Sequence, residues 1–309
     1  MKLLNSESET KALKKGIING NHVPVMLKEV LDYLNLKKEG IYIDCTFGRG
    51  GHSRPILEKL GKGKLIAFEW DQKFSSLVQN DNFFLSPLFC LINDNFANLE
   101  DHLKKMAIQE VDGFLFDLGL SVDQLVEEGR GFSYRLNSPL DMRISTKSKL
   151  KAEEVINNYS CEKLADIFYH FGEERKARMI ARKICYWRKK KRIVSSEQLV
   201  KIIASCFSQK SNKHPARKVF QALRIFINQE LENLTQTLEI ALKYLAKEGR
   251  IIVISYHSLE DRIVKQIFKK YASNHFQIIT KKPLTPTQLE IMENHRARSA
   301  KMRVIERKI

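Results

Sequence analysis

Short apolar runs alternate with helical stretches through the first part of the chain, and this constrains the fold more than any other feature. The runs at 41–45, 64–69, 89–92 and 113–117 are too short for helices. They are apolar on both faces, as strands buried between two helical layers must be. Helical patterning at 25–36 precedes the first and at 53–60 separates the first two, with Gly40 and Gly61 as stops. Such alternation predicts an α/β fold: a mainly parallel sheet with helices on both sides. It then stops. Residues 126–212 carry helical patterning without a convincing strand. It resumes with one long helix, apolar at Phe220, Leu223, Ile227, Leu231, Leu234, Leu238, Ala241 and Leu245, which Gly249 is expected to end, and with a fifth strand at 250–255. The expected organisation is a flexible N-terminal tail (1–21), the first part of the sheet domain (22–125), an inserted helical domain (126–212) and the second part of the sheet domain (213–309).

Charge narrows the partners. The chain has 53 Lys and Arg against 36 Asp and Glu, a net +17. Such a surplus attracts polyanions through steering and counterion release. Residues 175–192 concentrate it, with ten Lys or Arg, no acid, and Tyr186 and Trp187 among them. That run suits a solvated helix face or a phosphate track with stacking aromatics. A hydrophobic fraction of 43% excludes wholesale disorder. Cys45, Cys90, Cys161, Cys185 and Cys206 are odd in number and form no CxxC pair. Neither a disulfide scaffold nor a structural zinc site is expected, and a reducing cytoplasm fits. No apolar run approaches the roughly 18 residues that span a bilayer, and the N-terminus lacks a signal-peptide core.

In open parallel sheets ligands bind beyond the carboxyl ends of the strands. Three features collect there: the turn Gly48-Arg49-Gly50-Gly51 after the first strand, Glu69 at the end of the second, and Asp117 at the end of the fourth. Glu69 follows Gly48 by 21 residues, the usual place for a carboxylate that holds ribose hydroxyls. The third glycine of the GxGxxG fingerprint is missing, and no phosphate-binding GxxxxGK[ST] run is present. A nucleoside cofactor without phosphates therefore suits the turn better than a dinucleotide.

The residues here resemble a known family. Asp44-Cys45-Thr46-Phe47-Gly48-Arg49-Gly50-Gly51-His52-Ser53 and Asp117-Leu118-Gly119-Leu120-Ser121, followed by Gln124, are similar to motifs of the bacterial 16S ribosomal RNA (cytosine-N4)-methyltransferases. Arg130-Gly131-Phe132-Ser133-Tyr134, Pro139-Leu140-Asp141-Met142-Arg143, Phe171-Gly172-Glu173-Glu174-Arg175, His214-Pro215-Ala216 with Phe220-Gln221-Ala222-Leu223-Arg224, His257-Ser258-Leu259-Glu260-Asp261-Arg262 and Arg296-Ala297-Arg298-Ser299-Ala300 continue the match in order. The resemblance implies a Rossmann-like class I methyltransferase with an inserted substrate-recognition domain. It implies S-adenosylmethionine as cofactor, contacted by Gly50, Gly51, His52, Glu69, Phe96, Asp117 and Gln124. Its substrate would be a cytidine amino group in the decoding region of 16S rRNA, within the small ribosomal subunit. Three departures stand out. Glu69 replaces the usual Asp, which leaves Asp71 a rival; Cys45 sits where a smaller residue is common; and the stretch from Phe268 to Asn294 is short.

Nitrogen methylation needs alignment and a proton acceptor, whereas carbon-5 methylation needs a thiolate. The loops after the fourth and fifth strands, Asp-Leu-Gly-Leu-Ser and Ser-Tyr-His-Ser, offer no thiol, and Cys45 reads as a small buried residue. Asp117 reads equally as proton acceptor or as cofactor holder, because the (D/N/S)PP(Y/F/W) signature is absent. Ser258 reads as a helix cap with Asp261, and His52 as a neighbour of one. Arg130, Arg135 and Arg143, the polar stripe Arg217, Gln221, Arg224 and Asn228, and His257 are candidate RNA contacts. Against the enzyme stand a non-catalytic RNA-binding assembly factor that retains the fold and, less consistent with the glycine spacing, a nicotinamide oxidoreductase.

Overall fold

The structure is a computed structural model and describes residues 24–73, 81–207 and 214–309. The expected tail at 1–21 lies outside the described residues. The chain divides into two compact units, one formed by 22–119 with 231–309 and one that includes 120–230.

The first unit is built on strands Ile41–Asp44 (β1), Lys64–Phe68 (β2), Phe89–Ile92 (β3), Val111–Asp117 (β4), Leu245–Ser255 (β5), Phe276–Ile278 (β6) and Lys301–Arg307 (β7). Among the described residues they form one sheet in the order β3-β2-β1-β4-β5-β7-β6. The first five are parallel, while β7 pairs antiparallel with β5 and β6. Strands β6 and β7 were not expected. Successive side chains of a strand point to opposite faces, so each central strand serves two cores. Leu65, Leu115, Ile252 and Ile254 pack on one face with Val30 of helix Leu27–Tyr33 (α1), with Leu34 just after it, and with Ile56 and Leu57 of Ser53–Lys59 (α2). Ile66, Phe114, Phe116 and Val253 pack on the other, with Leu99 and Leu103 of Leu99–Lys105 (α3).

The second unit comprises helices Val122–Val126 (α4), Ala152–Asn158 (α5), Cys161–His170 (α6), Ala177–Lys190 (α7), Ser196–Ala204 (α8) and Arg217–Asn228 (α9). They enclose their own core around Ile156, Phe168, Ile180, Ile203 and Leu223. Cys161 on α6 and Cys185 on α7 lie beside each other, with Cα atoms 6.2 Å apart.

The long helix of 220–245 is two helices. Gln229 adopts φ 51° and ends α9, and Glu230–Tyr244 (α10) begins immediately after it. Phe220, Leu223 and Ile227 enter the helical core, whereas Leu234, Leu238, Ala241 and Leu245 enter the sheet core. One apolar stripe therefore serves two cores, and the helical unit runs through 230 rather than ending at 212. The last helix of that stripe stops at Tyr244, five residues before the expected Gly249, which lies inside β5. Ser258–Tyr271 (α11) follows β5 and covers the same sheet face as α10 through Val264, Ile267 and Phe268. No described helix is long and apolar enough to cross a membrane.

Candidate active site

Strand order sets β2, β1 and β4 side by side and parallel. Their carboxyl ends therefore share one rim, and the turn after β1 stands between Glu69 and Asp117. Two backbone contacts fix the turn toward β2: Phe47 N–H donates to the Phe68 carbonyl at 3.0 Å and Gly48 N–H to Glu69 Oε2 at 2.8 Å. Two fix it toward β4: Cys45 N–H donates to the Leu115 carbonyl at 2.9 Å and Asp117 N–H to Thr46 Oγ1 at 2.7 Å. Asp44 braces the turn from beneath. Its carboxylate accepts the Thr46 N–H at 3.0 Å and the Ser53 hydroxyl at 2.7 Å, and burial pushes its carboxyl upward.

The glycines of this turn have different jobs. Gly50 has φ 74°, and a Cβ there would lie 2.4 Å from the Phe84 ring and 2.9 Å from Phe47. Its missing side chain makes room for the aromatic cluster of Phe47, Phe84 and Phe89. Gly48, with φ 57°, has nothing within 4 Å of the position a Cβ would take. It is Gly48, absent from the residues expected to hold a cofactor, that leaves the backbone open to a ligand. Gly51 packs beside Pro24, at 3.3 Å from its Cβ position.

Glu69 is buried, and both of its oxygens accept backbone N–H groups, from Gly48 and, at 2.7 Å, from Asp71. Burial nevertheless outweighs these bonds, and Asp71 and Asp44 add repulsion, so the carboxyl is pushed up to about 7. Asp71, the rival carboxylate, is also buried and accepts the Lys73 N–H at 3.2 Å.

Asp117 is held by a residue that no sequence motif marks. The Tyr256 hydroxyl, just beyond β5, donates to Asp117 Oδ1 at 2.6 Å. Burial, then the adjacent carboxylate, pushes that hydroxyl well above its ordinary value, so it stays a donor. Asp117 Oδ2 lies 3.7 Å from His52 Nδ1, and the other ring nitrogen of His52 contacts the Val25 carbonyl at 3.0 Å. An aromatic hydroxyl one residue past a central strand was the available signal for Tyr256. The buried Cys45 thiol is pushed well above its ordinary value, which removes a thiolate from this rim.

Phe96 opens a 3-10 turn after β3 and packs edge-on against Phe116, with centroids 5.9 Å apart. Gln124 belongs to the helical unit. There its side-chain oxygen accepts the Ser121 N–H at 3.0 Å while Ser121 caps α4 in return.

The candidate RNA contacts divide sharply. Asp141 grips Arg143 with two bonds of 2.7 and 2.8 Å, and Glu230 grips Arg224 with two of 2.8 Å. Arg130 donates to the Arg143 and Ile144 carbonyls at 3.1 and 2.9 Å. Asn228 is buried among backbone partners. These four hold the helical unit together. Arg135 is exposed beside Tyr134, which stacks on His214 with centroids 4.5 Å apart; Arg217 is half-buried at the start of α9. His257, not Ser258, caps α11: its Nδ1 accepts the Glu260 N–H at 3.4 Å, and the Glu260 carboxylate accepts the His257 N–H at 3.2 Å.

The chain is 42% identical to "Ribosomal RNA small subunit methyltransferase H" of Mesoplasma florum over 310 residues, covering 93% of this chain and 99% of that one. An rRNA methylase structure from Streptococcus thermophilus matches 92% of the chain and 94% of its own length at 11% identity, with a TM-score of 0.42. A SAM-dependent O-methyltransferase from Thermotoga maritima matches 96% and 71% at 9% identity, also with a TM-score of 0.42. The profile of the MraW methylase family matches residues 19–308, nearly the whole length, and the chain belongs to that family.

Proposed function

We infer that this chain transfers a methyl group from S-adenosylmethionine to the N4 amino group of a cytidine in the decoding region of 16S rRNA, within the small ribosomal subunit. The observation that carries the reading is the meeting of an open glycine, a buried carboxylate fixed by backbone N–H groups and a tethered aspartate on one rim. The name of the Mesoplasma relative and the net charge of +17 support ribosomal RNA as the substrate.

The residues present fit the cofactor. Gly48 leaves its backbone free for close approach, and Glu69 keeps a lone pair on each oxygen for ribose hydroxyls once Gly48 and Asp71 have donated. The aromatic face of Phe96 suits an adenine. When bound, the cofactor supplies a methyl already activated as a sulfonium. A cytosine amine is a poor nucleophile, because its lone pair is delocalised into the ring. The protein must therefore align the amine and accept its proton. Asp117 Oδ2 is the acceptor for that step, since Tyr256 occupies Oδ1 and fixes the orientation of the group. The decisive experiment is mass spectrometry of nucleosides from small-subunit rRNA of cells with and without this protein. One N4-methylated cytidine should disappear with the protein; an unchanged nucleoside profile overturns the reading.

Glu69 sets a pH dependence. Its folded value of about 7 exceeds that of an unfolded glutamate. Its contribution to stability is thus full below the ordinary carboxylate range and lost as pH rises through about 7. Ligand hydroxyls reverse the sign, because they donate to the ionised form. Calorimetric affinity for S-adenosylmethionine should fall about tenfold per unit below pH 7 and level off above it. Glu69→Gln should bind weakly with a flat profile; a steep profile in that variant removes Glu69 from the site.

A further inference from the structure

Helix α7 turns Ala177, Ile180, Ala181 and Ile184 into the core of the helical unit, and among the described residues its opposite side is left uncovered. Arg178, Arg182, Tyr186 and Lys190 recur there at steps of four and form one line of about 18 Å along the axis. Met179 and Trp187 flank it. Tyr186 is 56% exposed and Trp187 44%, an unusual display for two large rings on one face. Lys190 Nζ sits over both, 4.5 Å from the Tyr186 centroid and 5.7 Å from that of Trp187.

A face that is merely solvated would mix both signs of charge. Here the one carboxylate in an ion pair with a side chain of residues 175–192, among the described residues, is Glu153, on Arg192. Arg178, Arg182 and Lys190 have no acidic partner there. The face is also indented: Met179, Arg182, Lys183 and Tyr186 meet Ser205 and Cys206 around an open hollow of about 410 Å³. Lys183 is anchored at its edge by a 2.9 Å bond to the Ser205 carbonyl.

We propose that this face docks an unpaired stretch of RNA, with bases stacked on Tyr186 and Trp187 and phosphates on Arg178, Arg182 and Lys190. Cations interleaved with exposed rings match a single strand, which offers phosphates and free base faces together. A duplex hides its base faces and would leave the rings unused. The choice of RNA rests on the proposed ribosomal substrate. The surface belongs to the helical unit and would act by holding substrate rather than by chemistry.

The test uses the full chain and a fluorescent 12-nucleotide single-stranded RNA of mixed sequence, with the matching RNA duplex and a polyglutamate peptide as further probes. Tyr186→Ala should weaken single-strand binding about tenfold without changing its salt dependence, and Tyr186→Phe should bind like wild type. Arg182→Gln with Lys190→Gln should lower the slope of log affinity against log salt by about 0.7 for each phosphate no longer neutralised. Ultraviolet crosslinking of the wild type should place the RNA on peptide 184–191. Unchanged single-strand binding in both variants overturns the proposal. So does duplex binding with the same dependence on Tyr186, or polyglutamate binding through these residues without RNA binding. If wild type binds the oligonucleotide through this face yet methylates no rRNA, the proposed function fails and the docking surface stands. If rRNA is methylated while the variants bind RNA normally, the reverse holds.

Discussion

Asp117→Asn is expected to lower methyl transfer roughly a hundredfold to ten-thousandfold, the range for losing a positioned proton acceptor. The amide would turn its oxygen to the Tyr256 hydroxyl, which donates at 2.6 Å, and its NH2 toward the position of Oδ2. An acceptor facing the rim thus becomes a donor, opposed to an incoming amine that is itself a donor. Backbone geometry should hold, because the Asp117 N–H is fixed independently by Thr46 at 2.7 Å. Single-turnover transfer and calorimetry with S-adenosylmethionine, run on the same preparation, separate the two roles of this carboxylate. Near-normal cofactor affinity with lost turnover assigns proton acceptance; affinity lost in proportion to turnover assigns cofactor holding and removes the acceptor role. Tyr256→Phe leaves the carboxylate in place but frees its rotation, so it should cost less, about tenfold, mainly in turnover.

Much of this rim was legible because topology dictates it. Once residues 41–117 read as alternating strands and helices, the positions of Glu69 and Asp117 at neighbouring strand ends followed from the geometry of parallel sheets. Tyr256 was not legible for a different reason: its part is defined by a partner 139 residues away, and its place one residue past a strand does not name that partner. The same holds for the guanidiniums. Arg143 and Arg224 look like free cations in a basic chain, but each has a two-oxygen grip from a carboxylate two or six residues away. Periodicity also cannot register a change of partner. The stripe from Phe220 to Leu245 keeps helical spacing across Gln229, although the core it packs against changes there. Strands β6 and β7 were missed because β6 is three residues long and the apolar side chains of β7 are interrupted by Arg303 and Glu306.

Asn228→Leu is expected to cost the helical unit about 3 kcal/mol, although it adds apolar volume to a buried site. Asn228 is 1% exposed. Its Oδ1 accepts the Ile144 N–H at 2.8 Å, and its Nδ2 donates to the Met142 carbonyl at 2.8 Å. Met142 is itself buried with φ 59°, a conformation that a non-glycine residue adopts only when its surroundings insist. Leucine would orphan that N–H and that carbonyl, each worth about 1–3 kcal/mol when unpaired in the interior, against a smaller gain from the added methyl groups. Hydrogen exchange read by mass spectrometry should show amide protection in α9 and around 140–145 reduced about 100-fold, with β1 and β4 unchanged. Unchanged protection in α9 would mean that the amide contributes nothing to holding Met142. The outcome also decides how the run Pro139 to Arg143 is to be understood. If Asn228 pins it, and Asp141 pins Arg143, this stretch is structural, and Arg143→Gln should weaken folding before it weakens binding to RNA.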